Sequence, residues 1–372
     1  MRWRVTSSGL WVRRFPVHLA VKTCFISLYR GAEGGSIRPH RSDTAPHRPP
    51  PLNRRRGGQV KGGVRPITAV LVLTVAAVQA PSGAAAAPST LAGTVQVGGL
   101  QRSYLVHVPG SFPGGRPAGL VFVLHGGGGN GKQIERHTGF SALADREGFI
   151  AVYPDAVDRN WNDGRAAPGI TAQQQNVDDV GFFAALITGL TREFAVDPRR
   201  VYVTGASNGA FMSQRLAAEL SERIAAIAPV IGGMAPQVRD RFAPKVPVSV
   251  LLMNGTDDPL VPYRGGAVAR TRGQTIGVAE IVRLWRTHNR CPEGPETVLL
   301  ADADPTDGTR VRRTAYARCA NRTAVTLYTI EGGGHTWPGG VQYLPRAVIG
   351  RTNRDIEATP VIWQFFAGHP RP

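Results

Sequence analysis

Cysteine is nearly absent from this chain. Three occur in 372 residues, Cys24, Cys291 and Cys319, and no two stand at the C-x-x-C spacing of a zinc site. No metal is therefore expected, and no other cofactor is called for by any motif below. The chain also lacks a Gly-Lys-Ser/Thr ending to its glycine run, which argues against a phosphate-binding P-loop. The uncharged apolar run at 67–80 has 14 residues, short of the ~20 that span a bilayer as a helix. Acidic residues are scarce, 26 against 44 Lys and Arg, for a formal charge of +18. That excess is local. Residues 1–87 hold 14 Lys and Arg and 2 Asp and Glu, which leaves +6 over the remaining 285 residues. No basic stripe interleaved with aromatics is present, so the charge speaks to solubility and not to a nucleic-acid partner.

What is present sorts into three segments. Residues 1–59 are rich in Arg, Pro and Gly. They read either as a disordered basic extension or as sequence upstream of a true start near Val60 or Val64. Residues 60–87 read as a signal peptide, with Lys61 and Arg65 before the apolar run, Ala84 to Ala87 after it, and cleavage expected near Ala86–Ala87. The third segment, 88–372, is expected to be secreted, freely soluble and without a permanent membrane anchor. Cys24 lacks the signal-like run that precedes a lipid-anchoring cysteine. Cys291 and Cys319 form an even pair in an exported chain, which predicts one disulfide.

Residues 88–372 alternate short apolar runs with helical patterns. Strands are expected at Tyr104–Val108, Leu120–Leu124, Ile150–Tyr153, Val201–Thr204, Ile227–Ile231, Val248–Met253 and Val325–Ile330, all with the composition of buried parallel strands. Helices are expected near 133–147, 178–194, 208–220, 275–289 and 354–366. Asp178 and Asp179 would open the second, and Asn353 would cap the last. The fold class is α/β, a mostly parallel central sheet with helices on both faces. In such sheets the chemistry gathers at the carboxyl ends of the strands.

Gly205-Ala206-Ser207-Asn208-Gly209 lies between a strand and a helix. G-x-S-x-G in that setting is a nucleophile elbow, a turn sharp enough to expose the serine hydroxyl. Serine needs a base, a carboxylate to orient the base, and donors for the oxyanion. Most histidines fall in the first segment, in the C-terminal tail or within strand and helix patterns. His107, His125, His137 and His288 read as structural or surface residues. His335 sits in the glycine-rich stretch Gly332-Gly333-Gly334-His335-Thr336-Trp337-Pro338-Gly339 after the last strand, where an imidazole can be aimed. Asp257 and Asp258 follow the strand ending at Met253. Asp258 is preferred, and Asp257 is the alternative. The order Ser207, Asp258, His335 is that of the α/β-hydrolase triad. The oxyanion donors are expected to be the backbone N–H groups of Gly127, in the run Gly126 to Gly131, and of Asn208. Trp161 and Trp337 are candidates for walls of the substrate pocket, with ordinary packing as the alternative.

Together, Leu124-His125-Gly126-Gly127, Trp161-Asn162-Asp163-Gly164-Arg165, Val177-Asp178-Asp179-Val180-Gly181-Phe182, Gly205–Ala210, Asn254–Tyr263 and the stretch ending at Gly339 resemble a family of secreted α/β-hydrolase esterases. That family includes polyhydroxybutyrate depolymerase-like proteins, LpqC-like lipoproteins, and feruloyl and acetylxylan esterases. The resemblance runs from about Tyr104 to about Phe366. It implies Ser207 as nucleophile, His335 as base and Asp258 as acid, the last because the family's acid stands directly before the residue at Pro259. It also places a disulfide at Cys291 and Cys319. Asn254 stands where relatives often carry His. The implied partner is a small-molecule or oligomeric ester of hydroxyalkanoate, feruloyl or related type. An acyltransferase or peptidase could use the same triad, and a noncatalytic binding protein could keep the same scaffold.

Overall fold

The computed structural model describes residues 87–112 and 117–372. The expected extension at 1–59 and all but the last residue of the expected signal peptide lie outside the described residues. The chain opens with β1 (Ser89–Val97) and β2 (Leu100–Val108), joined through Gly98-Gly99. Both glycines have positive φ, 57° and 79°, as a two-residue hairpin turn of matching twist requires. Next come β3 (Ala118–Leu124), α1 (Gly131–Thr138), α2 (Phe140–Glu147), β4 (Ile150–Pro154), α3 (Thr171–Gln174) and α4 (Asp179–Glu193). Then follow β5 (Val196–Ala206), α5 (Asn208–Glu219), β6 (Ala226–Val230), α6 (Pro236–Asp240) and β7 (Ser249–Gly255). A small ribbon of β8 (Gly266–Ala267) and β9 (Gln274–Thr275) precedes α7 (Val278–His288). The chain finishes with β10 (Glu296–Leu299), β11 (Arg310–Tyr316), β12 (Val325–Glu331), α8 (Arg346–Ile349) and α9 (Ala358–Gly368).

Ten strands form one sheet in the order β1-β2-β4-β3-β5-β6-β7-β12-β11-β10. From β4 to β12 every neighbouring pair is parallel, and both flanks are antiparallel. Alternation along the central strands divides the core in two. Leu120, Phe122 and Leu124 of β3 face one layer with Phe182 and Phe183 of α4, Met212 and Leu216 of α5, and Trp285 of α7. Val121 and Val123 face the other, with Ile134 of α1, Phe140 and Leu143 of α2, and Ile362 and Phe366 of α9. A strand buried on both faces has no polar side to show, which is why β3 reads as an unbroken apolar run.

The expected α/β-hydrolase architecture is present, with local differences. The strand expected at Tyr104–Val108 pairs antiparallel with β4, because the hairpin reverses the chain before β3. The helix expected over 133–147 is two helices, broken at Gly139 in the left-handed conformation. Asp178 does cap α4, accepting from the Gly181 amide at 2.7 Å. Asn353 does not cap the last helix, which begins five residues later. Its carboxamide instead donates to Thr309 and Asp355 at 2.7 and 2.9 Å, so tertiary partners take the side chain that a cap would have used. The expected disulfide is formed between Cys291 and Cys319, tying the end of α7 to the turn between β11 and β12.

Candidate active site

The parallel register brings five strand ends level. Leu124 pairs with Gly205, Ala206 with Val230, Val230 with Met253, and Gly255 with Ile330. The loops that leave β3, β5, β7 and β12 therefore open on one edge of the sheet. They carry His125 to Gly131, Ser207, Asp258 and His335 respectively.

Ser207 is held at φ 53°, ψ −117°, a conformation that costs of order 1–3 kcal/mol for a non-glycine residue. Its amide donates to Val230 O and its carbonyl accepts from Phe211, each at 3.0 Å, so both neighbouring elements hold the turn. The flanking glycines are required by space. A Cβ on Gly205 would lie 2.7 Å from Leu124 Cβ, and one on Gly209 would lie 2.5 Å from Leu124 O. Ile231 beside it also has positive φ, 48°, which is unusual for a β-branched residue. Asn254 donates to Gly232 O at 2.8 Å, so it braces the turn under Ser207.

His335 and Asp258 are both buried, and Nδ1 of the imidazole lies 2.7 Å from Oδ2 of the carboxylate. The other oxygen, Oδ1, accepts the amides of Leu260 and Val261, each at 2.8 Å. Asp257 is exposed and contacts Thr256 Oγ1 at 2.9 Å, so of the two adjacent carboxylates only Asp258 reaches the histidine. Tyr343 turns its hydroxyl inward and donates to the His335 carbonyl at 3.0 Å. Burial, and then the negative Asp258, push that phenol up to about 12.

Gly127 sits beside Asn208: a Cβ built on it would be 3.8 Å from Asn208 Cβ. Neither amide has a protein acceptor among the described residues. That leaves two N–H donors near the serine, one of them at a helix N-terminus where backbone donors are unpaired by geometry.

Trp161 and Trp337 differ from each other. Trp161 has no exposed surface. Its ring packs 5.0 Å from His125 and 5.5 Å from Phe183, so it offers no wall to solvent in this structure. Trp337 is half-buried, and its Nε1 donates to Thr359 Oγ1 at 3.2 Å, anchoring the histidine loop to α9. His107 is a satisfied structural residue, held between Thr90 and Asp145 at 2.9 Å each. His137 stacks on Tyr343, and His288 packs on Phe242.

Asp163, Arg165, Gln173, Asp179 and Arg102, with the part-buried Arg215, form a network under the site; of these the sequence pattern points only to Asp179, as a helix-opening residue. Asn208 Nδ2 donates to Asp163 Oδ2 at 2.6 Å. Arg165 Nη2 pairs with the same oxygen at 2.7 Å, and Gln173 donates to Oδ1 at 2.9 Å. Asp179 pairs with Arg102 at 2.6 Å and accepts the Asn162 amide at 2.7 Å; burial nevertheless raises its pKa above the ordinary range. Arg215 donates to Asn162 O at 2.6 Å. Buried charges persist only when paired and hydrogen-bonded, so these contacts fix the 161–165 segment in one position. The clustering of Asp163, Arg165 and Asp179 in charged motifs was the available signal.

Residues 102–238 match the Esterase PHB depolymerase family. The chain is 35% identical over 293 residues to "Putative esterase NocK" of Nocardia uniformis subsp. tsuyamanensis, covering 75% of this chain and 83% of that protein. It belongs to the PHB depolymerase esterase family. The esterase is 30% identical over 243 residues to feruloyl esterase B of Piromyces equi, covering 63% of this chain and 42% of that longer protein. Among solved structures, acetyl xylan esterase from Aspergillus awamori is similar with a TM-score of 0.47 and 16% identity, over 72% of this chain and 94% of that one. Its family makes the protein a carboxylic ester hydrolase, and its ten-stranded, centrally parallel sheet has the α/β-hydrolase architecture. Among the described residues no helix is long and apolar enough to cross a membrane.

Proposed function

We propose that this esterase hydrolyses hydroxyalkanoate, feruloyl or related esters through Ser207, His335 and Asp258, outside the cell that makes it. The observation that carries the reading is the 2.7 Å contact of His335 Nδ1 with Asp258, on the sheet edge where the elbow holds Ser207 at positive φ. Ser207 Oγ attacks the ester carbonyl carbon as His335 Nε2 takes its proton. Asp258 holds the proton on Nδ1 and stabilises the imidazolium. The Gly127 and Asn208 amides bind the tetrahedral oxyanion. The intermediate collapses, His335 gives its proton to the departing alcohol oxygen, and an acyl group remains on Ser207. Water then attacks the acyl-enzyme by the same route, releasing the acid and restoring the serine.

The similarity to a feruloyl esterase supports aromatic acyl groups among the substrates. The signal-peptide pattern and the Cys291–Cys319 bond support export to an oxidising compartment. The experiment is turnover of a p-nitrophenyl ester, followed by a panel of hydroxybutyrate oligomers, methyl ferulate and acetylated xylan. Ser207→Ala should abolish hydrolysis and fluorophosphonate labelling while the protein stays folded. Retained turnover would remove the nucleophile assignment, and acyl transfer to added alcohol or amine in preference to water would replace hydrolysis with transfer.

A further inference from the structure

The two amides assigned to the oxyanion lie on different segments, one after β3 and one at the start of α5. Two buried side chains outside the triad join them. Asn208 Oδ1 accepts the Trp161 amide at 2.8 Å, and its Nδ2 donates to the Trp161 carbonyl at 3.3 Å. The Trp161 indole Nε1–H donates to the His125 carbonyl at 3.0 Å. The His125 ring lies against that indole and receives the Ala156 amide on Nε2 at 3.1 Å. A ring nitrogen that accepts from an amide carries no proton, so the neutral imidazole has its proton on Nδ1. That Nδ1–H donates to Gly126 O at 2.8 Å, and the Gly129 amide donates to the same oxygen at 3.0 Å. The Gly126–Gly127 peptide is planar and trans, so its carbonyl and its N–H point in opposite directions. Two donors that hold the carbonyl therefore aim the Gly127 amide.

We propose that His125 and Trp161 are positioning residues for ester hydrolysis: His125, in its Nδ1–H form, orients the Gly127 amide, and Trp161 couples it to Asn208 so that both amides converge on one oxyanion. This rests on the Ser207–His335–Asp258 reading. Burial suits the role, since it lowers the His125 pKa to about 4 and keeps the ring neutral at working pH. Neither side chain reaches substrate: His125 is 1% exposed and Trp161 0%. Their effect is on geometry. Oxyanion donors act only when preorganised, and a displacement of about 1 Å can cost ~100-fold in rate.

The test compares His125→Ala, His125→Asn and Trp161→Phe with the unaltered protein on a p-nitrophenyl ester and on a boronic acid that forms a tetrahedral adduct with Ser207. His125→Ala should lower kcat about 10–100-fold with KM within about threefold, because the loss falls on the transition state. Boronate affinity should fall by the same factor as kcat. His125→Asn places an N–H donor near the position of Nδ1 and should recover most of the loss. Trp161→Phe keeps the ring, removes the N–H, and should reproduce the kcat-only defect in milder form; it carries the test if His125→Ala does not fold. Folded variants with unchanged kcat would overturn the proposal. So would a kcat loss without matching boronate loss, or His125→Asn no better than Ala. Ser207→Ala run in parallel separates the two readings: its retained activity would sink the triad, whereas its inactivity beside a fully active His125→Ala would sink only the positioning role.

Discussion

Replacing Asp258 by Asn gives the sharpest test of the proposed triad, because the structure dictates how the new carboxamide must sit. Oδ1 of Asp258 accepts two backbone amides, from Leu260 and Val261, while Oδ2 faces His335 Nδ1. A carboxamide has one oxygen. If its NH2 group faced Leu260 and Val261, three donors would meet with no acceptor in a buried site. The oxygen must therefore keep the two amides, and the NH2 must face His335. Nδ1 then becomes an acceptor, and the ring proton moves to Nε2, the nitrogen that should receive the serine proton. A wrong tautomer of this kind costs about 10⁴ in kcat, or ~5.5 kcal/mol of barrier. The fold and KM should change little, since size and the backbone contacts are kept. Asp257→Asn, at an exposed carboxylate, should stay within about twofold. The assay is kcat on a p-nitrophenyl ester, with melting temperature as a check on folding. An Asp258→Asn variant that retains more than a tenth of kcat, or an Asp257→Asn variant equally impaired, would show that Asp258 does not hold the His335 tautomer.

Other outcomes follow from packing and protonation. Gly205→Ala should destabilise by about 1–3 kcal/mol in urea unfolding, because its methyl group lies 2.7 Å from Leu124 Cβ and close to backbone atoms; an unchanged midpoint would contradict that crowding. Cys319→Ser should cost about 3–4 kcal/mol by the loop-entropy argument for a separation of 28 residues, and a melt indistinguishable from that of the oxidised protein would argue against the bridge. Stability should also fall with pH between 6.5 and about 4. Burial of His125, opposed by its hydrogen bond to Gly126 O and by Asp155 and slightly reinforced by Arg159, lowers its folded pKa to about 4, so the unfolded chain binds the proton first as pH drops. The contribution is complete above pH 6.5, is lost towards pH 4, and amounts to about 3 kcal/mol at most. His137 and His369 are shifted in the same direction by burial. Urea unfolding at pH 7 and pH 4.5 measures the slope, and a flat profile would mean that His125 is not protected from protonation in the folded state.

The strand–helix alternation, the strand–turn–helix around Ser207 and the glycine run after β3 are legible from the residues alone, because each is a local pattern enforced by sterics or burial. A glycine that must touch Leu124, or a strand buried on both faces, leaves its mark at its own position. The edge strands were less legible: β10 is exposed at every residue and carries no burial pattern to read, while β1 shows itself only through the Gly98-Gly99 turn and a partial alternation. Local chemistry preferred Asp258 but kept Asp257 as an alternative, since both lie in the same turn, and the family resemblance favoured Asp258 as well. Only the tertiary structure showed which carboxylate reaches the imidazole, since that depends on how β7 and β12 pair and on where two backbone amides point. The network of Arg102, Asp163, Arg165 and Asp179 and the strut from Asn208 through Trp161 to His125 likewise join residues as many as 77 positions apart. Distance along the chain says nothing about such contacts. Sheet order does, and it is fixed when the whole core packs.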